Sequence, residues 1–413
     1  MSKLHRRELI AGMAALAGSP AIAGITPARR RADGLLAFPE DEQPLVDFRR
    51  FLPDPVILRS AEILVVDGKH QFVRAVADDG TDGVVKANSR MEEVTSLFHM
   101  LAKPAFVGKD VRDLQSHLAT LYRREYKFAG LAFWTAVGHL ELAIWDLLGK
   151  RAKRRCVDFM GPVIRDRIPI YVSSLDRNTS PEQEVDNLQA AMARTGARAV
   201  KLKVGGRMSR NQDAAPGRSE AVVALARKRL GDEVTIYADA NGSYDAPRGI
   251  EVARMLEAHG VAGFEEPCPH EDPEMQKQVA DRVRIPILGG EQDGRMEQWR
   301  WYIENRGLDV LQPDFMYNGG MLRTLAVQRM ASAANVGIAP HYPRNGAETV
   351  ELIHFAAQAS NLWGYQEYRA KPRVLDFAHD PVIDPVDGEL HLPPGCGFGI
   401  RYDPDLWLRA RRL

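Results

Sequence analysis

Between Ile168 and Glu367 the chain cycles in texture: a short apolar run closes on a charged residue, an amphipathic stretch follows, and the pattern begins again. The runs are Ile168 to Ser173, Ala199 to Lys203, Val234 to Asp239, Ala262 to Glu265, Pro286 to Gly290, Asp309 to Pro313, Val336 to Pro340 and Leu362 to Glu367. Asp239, Glu265, Glu291, Asp314, His341 and Glu367, which close the later runs, fall 26, 26, 23, 27 and 26 residues apart. Between the runs lie helical patterns, such as Val222, Leu225, Ala226 and Leu230, then Val252, Met255 and Leu256 before Gly260, then Leu322, Leu325, Ala326 and Met330. Eight apolar strands alternating with helices predict an α/β fold built as a (β/α)8 barrel of TIM type. A doubly wound open sheet is the competing architecture, and no Gly-x-Gly-x-x-Gly follows any of the strands to support it.

Upstream the texture differs. Val56 to Val66, Phe72 to Ala77 and Gly83 to Ala87 are β-rich runs separated by Asp67-Gly68 and Asp79-Gly80, the turn pairs of an antiparallel meander. Leu140, Ile144, Leu147 and Leu148 then share one face of a helix ending near Gly149. The expected organisation is a leader over 1–23, a linker arm over 24–50, an α+β capping domain over 51–165, the barrel over 166–370 and a tail over 371–413 that packs back on the cap. The leader is read from Lys3, His5, Arg6 and Arg7, an apolar stretch from Leu9 to Ala17, and Ala21-Ile22-Ala23 as a cleavage site. Its Arg6-Arg7 pair resembles a twin-arginine export signal, which implies a periplasmic or exported protein, with the cytoplasm as the alternative. No later stretch of the sequence reads as a membrane span, so no membrane partner is expected for the mature chain.

With 55 basic and 55 acidic residues the chain carries no net field to recruit nucleic acid, and small-molecule chemistry is the expectation. The three cysteines, Cys156, Cys268 and Cys396, are too scattered for a disulfide framework or a thiolate metal site. A metal in this protein has to be held by oxygen or nitrogen.

A charged side chain at the end of a strand buried on both faces is costly unless it has a partner or a task. Residues one βα unit apart take neighbouring places on the C-terminal rim of a barrel, where active sites are built. Asp239, Glu265 and Glu291 occupy three consecutive units and repel one another there unless a divalent cation lies between them; all-oxygen ligation favours Mg2+ over Zn2+. Lys201 and Lys203 lie two residues apart on a core strand and point to the same side, so each is expected to depress the other toward the neutral amine that serves as a base. His341 and Asp314 belong to adjacent units, which lets the carboxylate orient the imidazole.

The motifs Ala199-Val-Lys-Leu-Lys203, Asp239-Ala-Asn241, Phe264-Glu-Glu-Pro267, Gly289-Gly-Glu291, Gln312-Pro-Asp314, Pro340-His341 and the late Glu367, in this order, resemble the mandelate racemase subgroup of the enolase superfamily, and the meander and tail resemble that family's cap. The resemblance implies that Asp239, Glu265 and Glu291 bind Mg2+, which grips the substrate carboxylate. It makes Lys203 the base on one face of the α-carbon with Lys201 lowering its pKa, and it sets His341, backed by Asp314, on the other face. Glu367, if protonated, would donate a hydrogen bond to a substrate carboxylate oxygen as charge builds there, and Asn241 is expected as a substrate-binding residue lining the site. Glu as the third ligand departs from the glucarate dehydratase pattern, His341 from the muconate lactonizing pattern, and the Lys-x-Lys pair from the mannonate dehydratase pattern.

Such a site removes the proton beside a carboxylate through an enediolate. Dehydration of an acid sugar to a 2-keto-3-deoxy acid is the favoured outcome; racemisation or epimerisation of a 2-hydroxy acid is the alternative. A Schiff-base aldolase using Lys203 leaves the carboxylates unexplained, and a non-catalytic carboxylate-binding barrel leaves the acid and base unexplained. The expected partner is a small hydroxy-carboxylate substrate, and a homo-oligomer is the expected assembly. Cap loops near 74–90 and the rim residues Ser173, Tyr244, His270, Tyr317 and Arg344 are expected to set specificity.

Overall fold

The computed structural model describes residues 44–372 and 379–413. The leader expected over 1–23 and the arm as far as residue 43 lie outside the described residues. Val46 and Phe48, within the stretch expected to be linker, are buried, so the folded chain begins earlier than its composition suggests.

Three antiparallel strands open the structure: β1 (Leu58–Val66), β2 (His70–Ala77) and β3 (Asp82–Lys86). Asp67 (φ 51°) and Gly68 (φ 70°) make the first turn, both in the left-handed region that suits the right-handed twist of the strands. The other edge of β1 is covered by Ala410–Arg412, so the last residues of the chain complete a four-stranded sheet with the first.

The helix Leu131–Ala152 lies across this sheet. It is longer than its apolar stripe predicts, and it is buried on every side from Phe133 to Gly149 rather than along one face. Among the described residues it is also one helix long and apolar enough to cross a membrane, with 89% of its most apolar stretch buried in the protein. His139, Glu141 and Asp146 interrupt it, so it is not the unbroken apolar stretch of spanning length that the sequence reading excluded; it is apolar because it is the hub of the fold. Gly83 permits the contact, since a Cβ there would sit 2.0 Å from the carbonyl of Ala143.

Two buried acids on the hub act as splints. Glu141 accepts from the backbone N–H groups of Met321 (2.7 Å) and Leu322 (2.9 Å) and from the Trp145 indole (2.7 Å). It thereby caps the helix Met321–Ala333, whose own N-cap, Gly320, offers no side chain. Asp146 accepts from Val84 N and Phe398 N, each at 2.9 Å, tying β3 to the C-terminal tail.

The barrel strands are β4 (Arg167–Ser173), β5 (Ala199–Lys203), β6 (Thr235–Asp239), β7 (Gly263–Glu265), β8 (Ile287–Gly289), β9 (Val310–Leu311), β10 (Gly337–Ile338) and β11 (Gln366–Arg369). All pair in parallel in sequence order, and β11 returns to pair with β4. The remaining seam is closed where Ile338 bridges Leu362 in parallel, just ahead of β11. Seven long helices, from Pro181–Thr195 to Val350–Gln358, cross over between successive strands, and the tail follows the eighth strand in place of a helix. The predicted alternation is observed, with strands shorter than the apolar runs because the residues beyond each ladder turn outward onto the rim.

The hub also carries His139, fully buried, whose Nδ1 lies 2.7 Å from Thr135 O while its Nε2 accepts from Asn88 N at 3.2 Å. Burial, above all, pushes its pKa down to about 4. The folded chain therefore holds this imidazole neutral, while the unfolded chain titrates it near the ordinary value of about 6.5. The stability it contributes is complete above pH 6.5 and is lost as pH falls toward 4. Between pH 7 and 4.5, urea unfolding should show the native chain losing roughly 2 to 3 kcal/mol more than His139→Gln; superimposable pH profiles would refute the assignment.

Candidate active site

Each rim residue is delivered by a strand that is apolar until its end. Asp239 closes β6 and Glu265 closes β7, both fully buried; Glu291 follows β8 after Gly290 (φ 102°) and keeps 12% of its side chain exposed. One carboxylate oxygen from each can be chosen so that all three lie within 4.8 Å of one another. Lys201, pointing into the barrel from β5, reaches Glu265 at 2.8 and 3.0 Å and Glu367 at 2.9 Å. Lys203, two residues on, pairs with Asp239 and donates to Asn241 Oδ1 at 3.1 Å. His341, beyond β10, places Nδ1 3.0 Å from Asp314 Oδ2 and Nε2 3.2 Å from Glu291 Oε2.

Lys203, Asn241, Glu291 and His341 face a common cavity of about 580 Å³. In the ring of strands β5 and β10 stand on nearly opposite walls, so Lys203 and His341 approach a bound molecule from two sides. The cap closes the cavity with Arg90, Val94, Leu131 and Thr135. Of the expected specificity residues, His270 and Tyr317 line it and Ser173, Tyr244 and Arg344 do not. Tyr244 is buried beside Gly205, and Arg344 is drawn away by Glu348 at 3.0 Å. Residues 74–86 are mostly strand, so of the stretch expected near 74–90 it is the end at Arg90 that lines the cavity, joined by Glu93, Val94 and the start of the hub helix.

Two electrostatic expectations are overturned. Burial alone would lower the Lys201 pKa, but Glu265, Glu367, Tyr171 and Asp239 outweigh it and hold the ammonium well above its ordinary range. Lys201 is thus a fixed cation, because the lysine pair is embedded among more carboxylates than lysines. Glu367 is likewise no protonated donor: against burial, Lys201 and His341 pull its carboxyl down to about 2, and its Oε2 accepts from Tyr342 N at 2.9 Å. Burial opposes charge on His341 too, yet Glu291, the Asp314 hydrogen bond and Glu367 raise it to about 10, so the ring is an imidazolium with a proton at Nε2. Burial and then Asp239 push the Glu265 carboxyl upward while Lys201 pulls it back, the mark of a crowded acidic cluster held ionised by its lysine.

The residues fit a hard cation. The donor set is all oxygen, its span suits metal–oxygen bonds of about 2.1 to 2.4 Å, and Glu291 Oε2 is buried with no aligned hydrogen-bond donor. Several participants carry little or no signal in the sequence. Gln312 Nε2 donates to Glu265 Oε2 at 2.9 Å; its motif was visible but its role was not. Arg177 donates to Asn241 Oδ1 at 2.8 Å from a loop with no periodic pattern. Glu266, buried and held at φ 42°, lines the cavity beside the triad; its signal was the second acid of Glu-Glu-Pro.

Comparison with known proteins supplies the remaining observations. The pattern of the enolase C-terminal domain-like family matches residues 183–406. An arabinonate dehydratase of Saccharolobus solfataricus is 25% identical over 370 residues, covering 87% of this chain and 93% of that protein. A structure from Roseobacter denitrificans, provisionally named a racemase, superposes with a TM-score of 0.81 at 31% identity, covering 86% of this chain and 99% of that one. A mandelate racemase/muconate lactonizing protein of Paracoccus denitrificans, solved with magnesium, gives 0.79 at 26% identity, covering 87% and 98%.

Like charges packed this closely predict a metal response. About 10 mM Mg2+ should raise the thermal midpoint by about 2 °C or more, and Glu291→Gln should abolish most of that rise. An unchanged midpoint in the native chain would count against the cation site.

Proposed function

The chain belongs to the enolase C-terminal domain-like family, and from that premise we propose that it removes the proton beside the carboxylate of an acid sugar and expels the hydroxyl of the next carbon. The product is a 2-keto-3-deoxy acid. The observation that carries this reading is the placement of Lys203 and His341 on nearly opposite walls of one cavity, which Glu291 of the acidic triad also lines. The dehydratase name of the Saccharolobus relative supports the substrate class.

Asp239, Glu265 and Glu291 would hold Mg2+, which when bound supplies Lewis-acid stabilisation for the charge that builds on the substrate carboxylate. Lys201, fixed as a cation by Glu265 and Glu367, adds a charged donor at the same place without needing to move. Lys203 Nζ takes the α-proton, breaking the C–H bond, and Asn241 Oδ1, itself held by Arg177, aims that amine. On the far side His341 delivers the Nε2 proton to the departing hydroxyl, the C–O bond breaks, and water leaves. Asp314 keeps Nδ1 engaged throughout, and its carboxylate is fixed by Met316 N (2.8 Å) and Tyr317 N (2.9 Å). The enol then tautomerises to the ketone.

A second reading is favoured by the racemase name of the Roseobacter structure. On an acid with no hydroxyl at the next carbon, the same His341 proton goes to the α-carbon from the opposite face and inverts it. The Arg6-Arg7 leader supports export of the enzyme.

With Mg2+ and a panel of acid sugars, 2-keto acid should form. His341→Asn should lower turnover by about 1000-fold or more while α-proton exchange with D2O persists, whereas Lys203→Ala should abolish both. Exchange surviving in Lys203→Ala would remove Lys203 from its role; inversion without 2-keto acid would favour the racemase.

A further inference from the structure

Beyond Lys203 the chain turns through Gly205 and Gly206 and then holds Arg207, Met208, Arg210 and Asn211 at φ 62°, 48°, 52° and 72°. Each such non-glycine residue costs on the order of 1 kcal/mol, so a run of them persists only when something pins it. The pins are visible. Arg207 N donates to Ser243 Oγ at 2.9 Å, Met208 N to Asn241 O at 2.9 Å, and Asn211 N to Ser243 O at 2.8 Å. The strained loop is zipped onto the segment after β6, and Arg207 and Met208 are held against the cavity that Lys203 and His341 face.

Arg207 is not the one cation in this wall. Arg177 lies behind it, donating to Gly205 O (3.1 Å) and Asn241 Oδ1 (2.8 Å). Arg218 is buried below, donating to Thr179 O (2.8 Å), Lys203 O (3.1 Å) and Thr179 Oγ1 (3.2 Å). All these acceptors are neutral. Burial presses the Arg177 pKa down, Asp239 opposes it, and the nearby charges of Arg207 and Arg218 add to the downward pressure. The opposite wall is different: Arg90 is neutralised by both oxygens of Glu93 at 3.0 Å. Behind this part of the cavity wall two guanidinium groups, Arg177 and Arg218, thus spend their hydrogen bonds on neutral oxygens, and Arg207 is the arginine of the three that lines the open space. A surface arginine that only solvates the protein needs no left-handed backbone and no row of backbone pins.

We infer that Arg207, backed by Arg177 and Arg218, is the subsite for a second anionic group at the end of the substrate remote from the reacting carboxylate. This rests on the dehydration reading above and narrows it to dianionic acid sugars: six-carbon aldaric acids, whose second anion is a carboxylate, or aldonic acid 6-phosphates. A guanidinium accepts either through paired N–H donors.

The test measures 2-keto acid formation by the full chain with Mg2+ on aldaric acids, the matching aldonic acids and aldonic acid 6-phosphates. The native enzyme should prefer one dianionic class over the plain aldonic acids by about 100-fold in kcat/KM, and the preferred class names the anion. Arg207→Asn, chosen because Asn tolerates a left-handed backbone, should erase most of that preference, and Arg207→Lys should restore part of it. Equal or better turnover of plain aldonic acids by the native enzyme, or a preference unchanged in Arg207→Asn, would overturn the subsite and leave the dehydration reading standing. Failure to dehydrate any acid in the panel would overturn both.

Discussion

Three carboxylates brought to the end of three neighbouring buried strands repel one another, and the surrounding structure is arranged around that repulsion. Two lysines from a single strand, an imidazolium and a glutamine reach into the cluster. Without a cation these groups answer the negative charge among themselves, which is why Lys201 is so firmly protonated and Glu367 so firmly ionised. The same contacts describe how the site is preorganised: groups that neutralise the triad are already aimed at the place where negative charge would accumulate on a substrate carboxylate.

The cavity above the triad depends on a second constraint, the hub helix Leu131–Ala152. Its first turn supplies part of the cavity wall, His139 holds the segment leading to Arg90, and Glu141 caps the barrel helix that follows the Asp314 loop. Cap and barrel are therefore joined by buried polar groups with directed hydrogen bonds. An apolar interface of the same size could slide; two backbone N–H donors from the start of the barrel helix, converging on a carboxylate that the Trp145 indole also holds, fix that helix's position.

Much of this was legible in the sequence. Strand β5 coincides with the apolar run Ala199 to Lys203, and Asp239, Glu265 and Glu291 lie together as their spacing implied. Period and burial are local properties, and a regular fold turns them into geometry. The charge state of Lys201 was not legible, because it depends on Glu265 and Glu367, both far from it in the chain. Nor were the cavity-lining roles of Thr135 and Arg90, since a cap residue's distance to the barrel mouth leaves no pattern in its own neighbourhood. The left-handed positions 207, 208, 210 and 211 were signalled only in part: Gly205-Gly206 marks a turn, but Arg and Met carry no such signal and the pins lie on a different loop.

The most direct test of the central claim is a crystal structure with Mn2+ in place of Mg2+, read by anomalous scattering. A single strong peak should lie about 2.2 Å from one oxygen each of Asp239, Glu265 and Glu291, with Lys203 drawn off Asp239 and free to face the cavity. A peak elsewhere, or none at a concentration that saturates the thermal response, would contradict it.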